Sequence, residues 1–225
     1  MFSEAKLDNP VWFALSETHA GYCIDYGVIK FYDPLYCPFG GFKNDGHIPR
    51  SILAYSKLEP CFFIVGDRPT VPESIRLKNE LVCEQMIVEK GIQVDYDERI
   101  VLLTGEDAVQ LFELVNLVQP GYFRSQTHRL GNYYGIFENG KLIAVTGERM
   151  KMHGHTEVSA VVTHPAYSGK GFATKLVAHT VNRVLESNRL PFLHVARTNL
   201  RAISLYEKLG FRHRRQITFW NYETI

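Results

Sequence analysis

The segment from His164 to Leu176, HPAYSGKGFATKL, sets Gly169 and Gly171 around Lys170, between an apolar run and a helix-patterned one. Small residues at a strand-to-helix turn let backbone N–H groups approach an anion at the positive end of the helix. The amides from Gly169 to Thr174 would then face a phosphate, with Lys170 as a point charge at the rim; a solvated loop lysine is the competing reading of Lys170 alone. A Walker A loop needs four residues between its first glycine and Gly-Lys-[Ser/Thr]. Here Lys170 follows Gly169 at once, and Phe172 stands where a magnesium-binding hydroxyl belongs. A dinucleotide fingerprint would need a third glycine at Thr174, in an opening βαβ unit with an acidic residue about 20 positions on. Neither phosphate class fits this loop.

The elements around the loop are legible from periodicity. RIVLL, from Arg99, reads as a strand, and TGEDAVQLFELVNLV as a helix with Thr104 as N-cap and Asp107 completing a capping box, stopped by Pro120. NYYGIFENGKLIAVTGERM reads as a hairpin turned at Asn139-Gly140. HTEVSAVVTHP is then a strand entering the loop, GFATKLVAHTVNRVLES an amphipathic helix, and LPFLHVA a fully buried strand. NLRAISLYEKLGF reads as a short helix capped by Asn199 and ended by Gly210, and RHRRQITFWNYE as one or two closing strands.

The first 95 residues are weaker in period and rich in aromatics, Pro and Gly. NPVWFALSETHAGY reads as a helix with Asn9 as cap and Val11, Trp12, Leu15 and His19 on one face. YCPFGGFKNDG reads as a turn-rich loop, followed by a helix HIPRSILAYSKL and a strand CFFIVG. A boundary falls near Val94 to Glu98, dividing the chain into an N-terminal region, 1–96, and a second domain, 97–225. The fold class expected is α/β with a mixed α+β sheet.

Bulk properties narrow the partners. In 225 residues, 25 Lys plus Arg nearly balance 24 Asp plus Glu, so no global field draws the chain to nucleic acid or to an anionic membrane. The apolar runs fall short of the roughly 18–20 residues a membrane span needs, and no signal peptide opens the sequence. A soluble cytoplasmic protein is the expectation. Cys23, Cys37, Cys61 and Cys83 form no C-x-x-C pair and read as reduced, buried thiols. His153 and His155, with no third ligand nearby, do not make a metal site.

From about Arg99 to the C-terminus, the order hairpin, EVSAVVTHP, YSGKGFA, helix, PFLHV and NLRAISLYEKLGF resembles the Gcn5-related N-acetyltransferase (GNAT) superfamily. Its acetyl-CoA signature, Arg/Gln-x-x-Gly-x-Gly/Ala, is matched by Ser168, Gly169, Lys170, Gly171, Phe172 and Ala173 except at Ser168, which removes a supporting side chain but not the amides. The pattern Asn199, Ala202, Tyr206, Gly210, Phe211 reinforces the match. The resemblance implies a GNAT fold over 97–225 and acetyl-CoA as acyl donor, its pyrophosphate at the loop. Its pantetheine arm would pair with the backbone of Val161, Val162 and Thr163 like an added strand. Asn199 could bond the same arm, cap its helix, or do both.

Acetyl transfer to an amine asks for a neutral amine, a polarised carbonyl and a proton for the departing thiolate. Tyr206 holds the family's general-acid position; a core tyrosine beside Ile203 and Leu209 is the competing reading. Glu157 stands at the spacing from the loop at which some members carry a catalytic glutamate. Strict alternation would place it on one face with Ser159, Val161 and Thr163, facing the substrate cleft; a structural or surface glutamate competes, with His155 as reserve base. Tyr122, Phe123, Arg124 and His128, in the loop that covers the substrate side of the family, would line the acceptor pocket, with Arg124 either an anchor for a carboxylate or an exposed loop arginine. No cysteine lies in the 97–225 region, which implies direct transfer in a ternary complex. The wording PFLHVARTNLRAISLYEKLGF and the added N-terminal region are similar to the glycine-N-acyltransferase-like branch. That similarity favours a small or amino-acid-like primary amine and allows the N-terminal region to be a degenerate second copy of the fold. A homodimer is compatible with the sequence. The alternative in another class is a non-catalytic acyl-CoA-binding regulatory module.

Overall fold

Hydrophobic periodicity and turn chemistry place most of the helices where the sequence predicts them. The computed structural model describes residues 4–43, 48–95 and 97–225. The helices are α1 (Pro10–Ser16), α2 (Ile48–Ser56), α3 (Ala108–Val118), α4 (Phe172–Glu186) and α5 (Leu200–Lys208). In the first region the strands are β1 (Cys23–Asp25), β2 (Ile29–Tyr32), β3 (Phe39–Phe42), β4 (Cys61–Val65) and β5 (Ile75–Ile87). The rest are β6 (Ile100–Leu102), β7 (Tyr133–Glu138), β8 (Lys141–Met152), β9 (His155–Thr163), β10 (Leu190–Ala196) and β11 (Arg212–Thr224).

Local signals account for several boundaries. The capping box at Thr104 forms: its amide donates to Asp107 Oδ2 at 2.8 Å, and its hydroxyl accepts from the Glu106 amide at 3.3 Å. It opens a short 3-10 turn that leads into α3. Asn199 accepts from the Ala202 amide at 3.1 Å, and Gly210 takes φ 88° past the end of α5. Asn9 makes no cap; its amide donates to the Phe42 carbonyl at 2.5 Å and ties α1 to β3 instead.

The eleven strands of the described residues form one sheet, in the order β1-β2-β3-β4-β11-β5-β10-β9-β8-β7-β6. Two neighbouring pairs are parallel, β3 with β4 and β9 with β10. Each is joined by a crossover helix, α2 in the first case and α4 in the second, as parallel pairing requires. The centre of the sheet is the antiparallel pair β5 and β11. β5 follows β4 in sequence yet lies beyond β11, against β10, while β11 pairs with β4. The first 96 residues and the remainder therefore exchange their last strands.

Two segments depart from the expectation: the helix read over NPVWFALSETHAGY ends at Ser16, with a separate 3-10 turn at Ala20–Tyr22 that leaves His19 outside the helix, and a loop becomes a strand. The turn-rich reading of YCPFGGFKNDG fails at β3, whose glycines serve close approach rather than turning. A Cβ on Gly40 would lie 2.4 Å from the Phe31 ring, and one on Gly41 would meet the Trp12 amide nitrogen at 2.9 Å. The sequence reading assigned no element to IRLKNELVCEQMI, which forms β5 without clean alternation: its first half is largely exposed and its last three residues are buried.

One core cluster packs across the exchanged strands, joining Leu7, Phe39 and Phe63 to Met150, Phe192 and Phe219. Another lies beneath α4 and α5, and a third beneath α3. The aromatic cluster under α2 includes a stacked Phe31–Tyr55 pair with ring centroids 3.9 Å apart. No helix among the described residues is long and apolar enough to cross a membrane.

Candidate functional site

The glycine loop takes the form its composition predicts. Gly169 and Gly171 adopt φ 83° and 79°, the left-handed region that residues with a Cβ enter at a cost. Nothing lies within 4 Å of a Cβ built on either, so backbone conformation rather than crowding demands glycine. The first backbone hydrogen bond of α4 runs from the Lys175 amide to the Gly171 carbonyl at 3.3 Å, which leaves the amides of residues 169–174 at the helix start without backbone partners among the described residues. Lys170 sits with its ammonium 5.0 Å from the Tyr167 ring centroid. Residues 168–174 line a groove of about 520 Å³ together with Val161, Thr163, Asn199 and Tyr206. Arg201 and Lys208, from α5, add positive charge that the sequence reading did not assign, and no carboxylate among the described residues lines the groove.

β9 is bulged beside this groove. Val145 pairs with Val162 and Gly147 with Ser159, so the single residue Thr146 faces both Ala160 and Val161. Ala160 takes φ 50°, a strained conformation for a residue with a side chain. The bulge breaks the alternation assumed from sequence. Val162 joins the core under α3, whereas Val161 packs with Val158 beneath α4, so Val161 and Thr163 do not share the Glu157 face.

On the other side of the bulge lies a cavity of about 300 Å³. It meets the groove at Val161, Asn199, Ala202 and Tyr206, which line both. Tyr206 is 7% exposed, and its hydroxyl has no hydrogen-bond partner among the described residues. Burial pushes its phenol up to about 12. Gly147 makes room for one wall: a Cβ there would lie 2.2 Å from the Tyr133 ring, which lines the cavity.

Of the four residues assigned to the acceptor pocket from sequence, Tyr122 and Phe123 line the cavity and Arg124 and His128 do not. Arg124 donates to Glu59 at 3.1 Å, tying the loop to the N-terminal region. His128 hydrogen-bonds through Nδ1 with the Ser125 carbonyl at 3.1 Å.

Sequence reasoning also missed Arg149 on β8 and His194 on β10. Arg149 donates from Nε and Nη2 to the two carboxylate oxygens of Glu157, at 2.8 and 2.7 Å. His194 Nδ1 lies 2.8 Å from Glu157 Oε1, and its Nε2 lies 3.0 Å from Gln85 Nε2. An amide nitrogen can only donate, so His194 Nε2 accepts and Nδ1 carries the proton toward Glu157. Glu157 is 1% exposed. Burial alone would raise its carboxyl, but Arg149 and then His194 outweigh that and hold it at about 2. A carboxylate so placed has both oxygens engaged and little affinity for a proton at neutral pH. Glu157 does not line the cavity, whereas Arg149 and His194, which hold its carboxylate, do.

A groove with free amides and cations, joined at a single phenol to a separate, mostly apolar cavity, suits a protein that moves a group between a phosphorylated donor and a second substrate. Comparison with known proteins makes the class explicit. The FR47-like protein family matches residues 133–220. A GNAT-family protein of Novosphingobium aromaticivorans superimposes with a TM-score of 0.87 at 31% identity, covering 97% of this chain and 98% of that one. Two others share the fold: a GCN5-related N-acetyltransferase from Kribbella flavida, TM-score 0.61 at 13% identity over 95% of each chain. The second is a GCN5-related N-acetyltransferase-like protein from Streptococcus suis, TM-score 0.60 at 16% identity over 98% of this chain and 96% of that one. No curated protein matches the sequence. The chain belongs to the GNAT family, whose chemistry is acyl transfer.

Proposed function

We propose that the protein transfers an acetyl group from acetyl-CoA to the primary amine of a small or amino-acid-like acceptor, directly, in a ternary complex. The observation that carries this reading is the junction at Tyr206, where a cation-lined groove beginning at free helix amides meets a separate cavity. The amides of residues 169–174, with Lys170, Arg201 and Lys208, hold the donor's phosphates. The edge of β9 past the bulge pairs with the amide-bearing pantetheine arm, and Asn199, whose side-chain oxygen is used in capping, keeps its NH₂ for that arm. A backbone amide released from the ladder at the Ala160 bulge polarises the thioester carbonyl.

The acceptor amine attacks that carbonyl, the N–C bond forms and the C–S bond breaks. Tyr206, which keeps its proton throughout the neutral range, donates it to the leaving sulfur to give the free thiol, and the proton lost by the amine passes through water to restore the phenol. Glu157 acts as a positioning residue that fixes Arg149 and His194; the amine's proton leaves through water. The two parallel pairs, β3/β4 and β9/β10, each crossed by a helix, support reading residues 1–96 as a partial second copy of the fold in 97–225. The terminal motif from Pro191 to Phe211 supports placement near the glycine-N-acyltransferase-like members.

Ser168 at the signature's first position favours one other reading, an acyl-CoA-binding module without turnover. Thiol release from acetyl-CoA in the presence of a panel of small primary amines separates the two. Amine-dependent release is expected, and binding of acetyl-CoA with no release for any amine would select the module.

A further inference from the structure

The cavity beyond Tyr206 has a chemistry of its own. Its walls are mainly apolar and aromatic, with Phe39, Tyr122, Tyr133 and Phe219 among them, and none of its described lining residues is Asp or Glu. Arg149 is the one side chain there that carries a fixed charge. Two of its five N–H donors are spent on Glu157, while Nη1 has no partner among the described residues. The guanidinium is held in place from both sides, by the paired bonds to Glu157 and by the Phe39 ring, whose centroid lies 4.8 Å from its central carbon. Glu157 is shared with His194, and His194 with Gln85, which also donates to the Leu7 carbonyl at 2.8 Å. That chain fixes Arg149 from behind, and Arg149 lines the cavity with Nη1 unspent among the described residues.

From this arrangement we propose that the acceptor is a monoamine whose body is apolar and of aromatic size and which also bears a carboxylate, received by the free edge of Arg149. The proposal rests on the acyl-transfer reading above and names the substrate class for that site. A polyamine or a lysine-rich tail would bring further positive charge against Arg149 with no lining carboxylate to meet it. A carboxylate on an arginine held flat gains charge-assisted bonds without the entropy cost of ordering the side chain. The volume, about 300 Å³, is at the lower end for small-molecule sites and matches one ring-sized body. Phe39, Leu81 and Cys83 come from the first 96 residues, so the N-terminal region sets acceptor specificity.

The test is calorimetric titration of the full-length protein saturated with CoA, which carries no acetyl group to transfer, with phenylalanine, phenethylamine or spermidine. Phenylalanine should bind about ten- to a hundredfold more tightly than phenethylamine, the span expected of a charged hydrogen-bonded contact. Spermidine should bind most weakly. In Arg149→Lys, which keeps the charge but loses the planar fork, the preference for phenylalanine should shrink to a few-fold. Equal or tighter binding of phenethylamine, tightest binding of spermidine, or binding of none of the three would overturn the proposal. Thiol release with some other amine would still uphold acyl transfer, so the two readings fail separately.

Discussion

Replacing Tyr206 by phenylalanine is expected to lower kcat for acetyl transfer by about a hundredfold or more, the usual worth of a positioned acid, while the Kd for acetyl-CoA changes by no more than about twofold. The geometry makes the substitution clean. The hydroxyl has no hydrogen-bond partner among the described residues, so its removal leaves no buried group stranded, and the ring keeps its packing beside Phe211, 5.7 Å between centroids. Folding stability should stay near wild type, which steady-state kinetics paired with thermal unfolding will check. An unchanged kcat would make Tyr206 a packing residue of the neck and assign the proton to water.

The second large effect is on stability. Arg149→Met removes the partner of a carboxylate that is 1% exposed, and breaking a buried pair on one side costs about 3–5 kcal/mol. For a chain of this size, that predicts a fall in thermal midpoint on the order of 10 °C. Removing both charges, in Arg149→Met with Glu157→Leu, should recover part of the loss, because no uncompensated charge is left buried.

The same pair sets a pH dependence with a definite sign. The Glu157 carboxyl lies at about 2 in the fold and at 4.5 when free, so the folded state favours its ionised form. Its contribution is fully present above the free value and is lost as pH falls from about 4.5 toward 2, amounting to about 3 kcal/mol in all. Urea unfolding at a series of pH values should therefore show wild-type stability falling through that window and a flatter profile for Glu157→Gln. A Glu157→Gln profile as steep as wild type would assign the acid sensitivity to other carboxylates.

Sequence reasoning succeeded where the signal is local. The loop from Ser168 to Thr174, the Asn139-Gly140 hairpin, the Thr104 box and the Asn199 cap each depend on residues within a few positions of one another. It failed where the determinant is a meeting of distant strands. Gly40 and Gly41 read as turn formers, because nothing nearby in sequence shows that the Phe31 ring and the α1 backbone press against them. Arg149 and Glu157 sit on adjacent strands, but His194 is 37 residues from Glu157 and Gln85 is 109 residues from His194. The one available signal was the pairing of an arginine and a glutamate across the β8–β9 hairpin. Strict alternation misdirected Val161 and Thr163, because a bulge at an alanine leaves no glycine to mark it. Arg124 looked available for a substrate because its partner, Glu59, belongs to the region of weakest pattern.

Donor, acceptor and proton placement all depend on the loop holding the phosphates of an acyl-CoA. The thermal midpoint of the protein with acetyl-CoA, CoA, ATP or no ligand tests that most directly. A ligand specific for the folded state adds about 2.7 kcal/mol at a hundredfold excess over Kd. Acetyl-CoA and CoA should each raise the midpoint by roughly 5–10 °C, and ATP, which lacks the pantetheine arm, by far less. An equal rise with ATP would make the loop a nucleotide site, and no rise with acetyl-CoA at millimolar concentration would contradict acyl transfer at this site.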